Sequence, residues 1–103
     1  MDEVIDAQTL VRFIQKRFEK RSAKKSADET ISIVLVLNNG TEVILHTVGW
    51  TEFEFIHAIG LSSNGNPVEI IVHFTNCQFK IIQEKIVMGE KPKEVKFGFA
   101  TPD

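Results

Sequence analysis

The sequence predicts an α+β domain, mainly β, in which an N-terminal amphipathic helix precedes a small five-stranded antiparallel barrel. Three observations carry this. Apolar residues recur at spacings of three and four only near the N-terminus. Short β-branched and aromatic runs fill residues 31–83. Asn-Gly turns separate several of those runs. The 103 residues make one domain, with a helix over 4–25, a barrel over 31–83 and a tail over 84–103.

The helix rests on Ala7, Leu10, Val11, Ile14 and Phe18, which line one face at 3.6 residues per turn. Phe13 is expected to widen that apolar stripe. Asp6 is the expected N-cap, because a carboxylate can accept from the free N–H groups of the first turn. After Phe18 the stripe stops, so the last turns are expected to be solvated, and "SADET" reads as a linker.

"ISIVLVL" (31–37) is almost wholly apolar and is expected to be buried on both faces. "NNGT" then signals a hairpin, and "EVILHTV" (42–48) returns. After Gly49-Trp50, "TEFEFIHAI" (51–59) alternates in its opening residues. Thr51 and Glu54 also have capping-box spacing, so a short helix is the alternative, and the strand is preferred. "LSSNGNP" (61–67) is a turn, "VEIIVHF" (68–74) and "CQFKIIQ" (77–83) are strands, "MGEKPK" (88–93) is a loop, and "EVKFGF" (94–99) adds an edge strand.

Five short strands hide two faces only by curling into a barrel or by pairing with another copy. "LNNGTEVILHTVGWTEF" resembles the first motif of the Sm/Lsm family, with Gly40, Val43, Gly49, Trp50 and Phe53 at matching places. "VEIIVHFTNCQFKII" is similar to the second motif, and WYL and YolD-like domains share the pattern. The resemblance covers about residues 5–83 and implies an Sm/SH3-like barrel. It does not carry over the RNA site of that family. Thr51 stands where the RNA-binding members have Asp, Phe55 where they have Asn, and Thr75-Asn76 where they have Arg-Gly. Ring assembly through strand edges is a further implication of the resemblance.

Charge is unevenly placed. Residues 1–11 carry -3, residues 12–25 carry +6 and residues 26–103 carry -5, within a total of -2. On a helix, Arg12, Lys16, Lys20 and Lys24 form one i,i+4 row, and Arg17, Arg21 and Lys25 form a second. Two adjacent basic ridges suit a phosphate backbone, where each contact releases counterions. The competing readings are an acidic protein partner and plain solvation.

Other residues are weaker candidates. Trp50 and Phe53, beside a turn, are read as a stacking or partner platform, or else as a plug in the barrel end. His46, His57 and His73 lie on three expected strands and lack ligand-pair spacing, so no metal is expected. With Trp50 they offer a small-ligand-binding barrel as a third function. Glu52 and Glu54 share an expected strand face, more in keeping with a wet surface than with acid–base chemistry. The four aspartates lie at 2, 6, 28 and 103, in termini or linker, and no nucleophile elbow or phosphate loop occurs. The expectation is a non-enzymatic binding or regulatory module without a cofactor, contacting RNA or DNA through the basic helix. The runner-up is a protein-interaction adaptor or inhibitor.

Cys77 is the only cysteine, which suits a reducing compartment. The opening "MDEVIDAQ" is acidic, unlike a signal peptide, and no apolar run is long enough to span a bilayer. A cytoplasmic homo-oligomer away from membranes is therefore expected.

Overall fold

The computed structural model of the chain describes residues 6–86 and 98–99. Helix α1 spans Ala7–Lys24. It begins where Asp6 caps it, the carboxylate accepting from the Thr9 N–H at 2.7 Å. That bond holds the Asp6 carboxyl below its ordinary range. Ala7, Val11 and Ile14 are buried, and Leu10 and Phe18 pack against the same core. Phe13 does not join them. Its side chain is 54 % exposed, on the other side of the helix, which corrects the expected widening of the stripe.

Six strands follow. They are β1 (Glu29–Leu37), β2 (Glu42–Thr51), β3 (Phe55–Ser62), β4 (Pro67–His73), β5 (Cys77–Lys85) and β6 (Gly98–Phe99). The first five form an antiparallel sheet in the order β4-β3-β2-β1-β5. β1 pairs with β5 along its whole length, from Glu29↔Lys85 to Leu37↔Cys77. It pairs with β2 only through Val34, Leu35 and Val36. The sheet is open. β4 and β5 are its two ends and share no ladder among the described residues, so the expected barrel closure is not formed between them. A single 3-10 turn, Phe74–Asn76, joins them.

Both Asn-Gly turns form as expected. Gly40 and Gly65 sit at φ +88° and +82°, the left-handed region open to glycine. Each closes a three-residue loop, with Gly40 N–H donating to the Leu37 carbonyl and Gly65 N–H to the Ser62 carbonyl, both at 2.9 Å.

Residues 51–59 are corrected. They form neither one strand nor a helix. β2 continues through Gly49 and Trp50 to Thr51, a turn takes Glu52–Glu54, and β3 starts at Phe55. Glu52 holds φ +51° without being glycine. Two tertiary bonds hold this turn. Ala7 N–H donates to the Phe53 carbonyl at 2.8 Å, and Phe74 N–H donates to the Glu54 carbonyl at 3.0 Å. Glu52 and Glu54 therefore lie in the turn and share no strand face.

A β-bulge sits at His46, where the β2–β3 register shifts between Leu45 and Thr47. An extra residue reverses the in–out alternation. Val43 and Leu45 are buried before it, and Val48 after it. With Ile33, Leu35, Ile56, Ala58 and Cys77 they complete the core beneath α1. β6 pairs parallel with Thr47 and Val48 of β2 and, among the described residues, with no other strand, as an edge strand does; it forms the described end of the expected 94–99 strand. Residues 94–97 and the expected 88–93 loop lie outside the described residues.

Candidate functional site

The C-terminal half of α1 lies beside β5, and a groove of about 230 Å³ runs between them. Arg17, Lys20, Arg21 and Lys24 line it from the helix, and Gln83 from the strand. The spacing explains the gathering. At about 100° per residue, these four helical positions fall within an arc of about 100°. All four residues are exposed. Among the described residues none of the four makes an ion pair.

The nearby acid is committed elsewhere. Glu29 accepts from the Ser26 hydroxyl at 2.6 Å, the Ser26 N–H at 3.0 Å and the Gln83 side-chain amide at 2.7 Å. These bonds, the Ser26 hydroxyl first, hold its carboxyl at about 2. Gln83 is thus fixed at the groove by a carboxylate that stays ionised, and Glu29 makes no ion pair with the four helix cations.

The seven basic residues expected to act together are divided. Arg12 and Lys16 are exposed but do not line the groove, and Lys25 forms the C-cap in an extended conformation. Trp50 and Phe53 are also separated from it. Trp50 is half-buried against the core. Phe53 is 73 % exposed in the turn that meets the N-terminus of α1, the far end of the helix from the groove. Gln83 was not legible as a site residue. Only the β1–β5 register brings it there, opposite Ile31.

His57 and His73 have separate partners. His57 Nε2 lies 2.7 Å from Glu69 Oε2. His73 Nδ1 accepts from the Thr75 N–H at 3.2 Å, its ring stacks on Phe74, and its Nε2 is 4.0 Å from Glu54. His46 is exposed at the bulge. Among the described residues no three His, Cys, Asp or Glu side chains gather as a metal site.

A second, apolar groove of about 350 Å³ lies around the bulge. Ile44, His46, Ile59, Leu61 and Pro67 line it, over Leu45 and Gly60. Ile44, Ile59 and Leu61, with Ile71 on β4, are exposed large apolar side chains on the sheet face away from the helix. Among the described residues no helix is long and apolar enough to cross a membrane.

The comparisons bear on family and not on chemistry. A model described as a family of unknown function (DUF6173) matches residues 4–100, nearly the whole chain. The chain belongs to the DUF6173 family. No curated protein and no solved structure matches it. The match spans α1 and all five antiparallel strands, so both grooves lie within the DUF6173 unit.

Proposed function

We propose that this DUF6173 chain is a non-enzymatic binding or regulatory module that contacts nucleic acid through its basic helix. One observation carries the reading. Arg17, Lys20, Arg21 and Lys24 converge on one groove, and among the described residues none is neutralised by an ion pair. Like charges held side by side repel one another, and a polyanion relieves that repulsion while releasing its own counterions. Four contacts form a modest site. A cytoplasmic homo-oligomer that presents several such grooves would sum them. Among the described residues β4 and β5 are the outer strands of the sheet, and their edges offer a route to assembly. The finer fold reading, an Sm-like barrel, rests on the β1–β4 meander with β5 returning beside β1. That order would close if the β4 and β5 edges met.

The apolar groove favours a second reading, a protein-interaction adaptor. Exposed Ile44, Ile59, Leu61 and Ile71 form a surface of the kind that marks partner contacts. A small-ligand site built on the three histidines and Trp50 has less support, since His57 and His73 hold separate partners.

Fluorescence anisotropy with labelled RNA and DNA, at low and physiological salt, tests the leading reading. Micromolar binding that is lost in Arg17→Glu/Arg21→Glu supports it. No binding at low salt refutes it and leaves the adaptor reading, to be pursued by partner capture.

A further inference from the structure

We propose that the groove takes single-stranded nucleic acid, with Phe13 as a base-stacking platform at the N-terminal end of the cationic stripe. This rests on the nucleic-acid reading above and narrows it. Phe13 is 54 % exposed on a helix whose core face is already filled by Ala7, Val11 and Ile14. The fold therefore has no packing use for most of this ring. At about 100° per residue, Phe13 projects within about 20° of Lys20 and Lys24 and within about 40° of Arg17. It lies about 16 Å from Lys24 along the helix axis, at about 1.5 Å per residue. An aromatic ring thus stands in line with the cations that line the groove.

The chemistry of that line selects the ligand. A duplex presents phosphates but keeps its bases stacked inside, so a ring beside its backbone has no π-face to meet. A single strand presents phosphates and unstacked bases together. Cations that track the backbone and an aromatic that stacks a base are the two parts of such a site. An anionic lipid surface is the rival for a basic helix with an exposed aromatic. It would need the apolar face of the helix. That face of α1 is inside the core.

The test uses the full chain. A labelled single-stranded oligonucleotide and a duplex of the same length are titrated with wild type, Phe13→Ala, Phe13→Trp and Arg17→Glu/Arg21→Glu. Alanine is the best helix former, so the exposed exchange leaves α1 formed, and a circular-dichroism melt verifies this. Phe13→Ala is expected to weaken single-strand binding roughly tenfold and to change duplex binding by less than about twofold. Phe13→Trp is expected to retain the single-strand affinity. Equal loss on both nucleic acids, or no loss on the single strand, overturns the stacking role. If Arg17→Glu/Arg21→Glu still abolishes binding in that case, the nucleic-acid reading survives without it. Absence of binding by wild type sinks both. Phe13-dependent binding to phosphatidylserine vesicles in place of oligonucleotide assigns the ring to a lipid surface and overturns the proposal.

Discussion

Neutralising the groove should change the salt dependence of binding, and neutralising the rest of the helix should not. The comparison is Lys20→Ala/Lys24→Ala against Arg12→Ala/Lys16→Ala. Each pair removes two positive charges from exposed positions of the same helix. Only the first pair lines the groove. For a single strand, log K falls by about 0.7 per neutralised phosphate for each tenfold rise in salt. Four lining cations therefore give a slope of about -2.8, and two give about -1.4. Between about 50 mM and about 200 mM salt, wild type should lose about fiftyfold in affinity, and Lys20→Ala/Lys24→Ala only about sevenfold. Arg12→Ala/Lys16→Ala should keep a slope near that of wild type. Anisotropy titrations at four or five salt concentrations, on one short oligonucleotide, read these slopes directly. Equal slopes in the two double variants would refute the reasoning. They would mean that the ligand responds to the helix's total charge and not to the groove.

Other consequences concern stability and reactivity. Burial pushes the Cys77 thiol up to about 11 from an ordinary 9.0. Its labelling by a disulfide reagent at neutral pH should be about a hundredfold slower in the folded chain than in denaturant, and an equal rate would show the site open. The Glu29 carboxyl is held at about 2 against an ordinary 4.5. Its stabilising effect is complete above about 4.5 and is lost as pH falls toward about 2, so Glu29→Gln should flatten the acid limb of a stability–pH curve. An unchanged acid limb would mean that the Ser26 and Gln83 bonds add nothing to the fold. A Cβ on Gly60 would strike the Ile44 carbonyl oxygen, a backbone atom of the paired strand. Gly60→Ala should destabilise by about 3 kcal/mol and lower Tm by more than about 10 °C, and a melt within about 2 °C of wild type would show that β2 yields easily. Glu52, at φ +51°, holds a left-handed conformation that costs a side-chain-bearing residue about 1–2 kcal/mol. Glu52→Gly should therefore raise Tm by a few degrees, and a lower Tm would show that the Glu52 side chain contributes more than its backbone strain costs.

Local chemistry made much of this fold legible in the sequence. Asp6 capped α1, and the Ala7, Val11 and Ile14 spacing chose its buried face, because both depend on residues within two turns of one another. The Asn-Gly turns were legible because glycine alone enters the left-handed region without cost. The turn at Glu52–Glu54 was not. It contains no glycine, asparagine or proline, while Gly49 and Trp50 upstream look like a turn and are strand. Bonds from Ala7 and Phe74, far away in sequence, hold the chain there against the local preference of Glu52. His46 was equally hidden, since a bulge is a property of the β2–β3 register and not of one strand.

The candidate site divides along the same line. A helix of known pitch determines which cations share a face, so the basic ridges followed from spacing alone. Which side of that helix meets the sheet is set by packing, and packing separated Arg17, Lys20, Arg21 and Lys24 from Arg12 and Lys16. It also left Phe13 exposed while Val11 and Ile14 are buried in the core. Gln83 reached the groove only because β5 pairs with β1, residues about half the chain apart. Sequence by itself determined α1 with its cap, the two Asn-Gly turns and the sign of the charge on the helix. The tertiary structure decided which charges face one another and which aromatic stays in water, because those depend on the relative placement of helix and sheet.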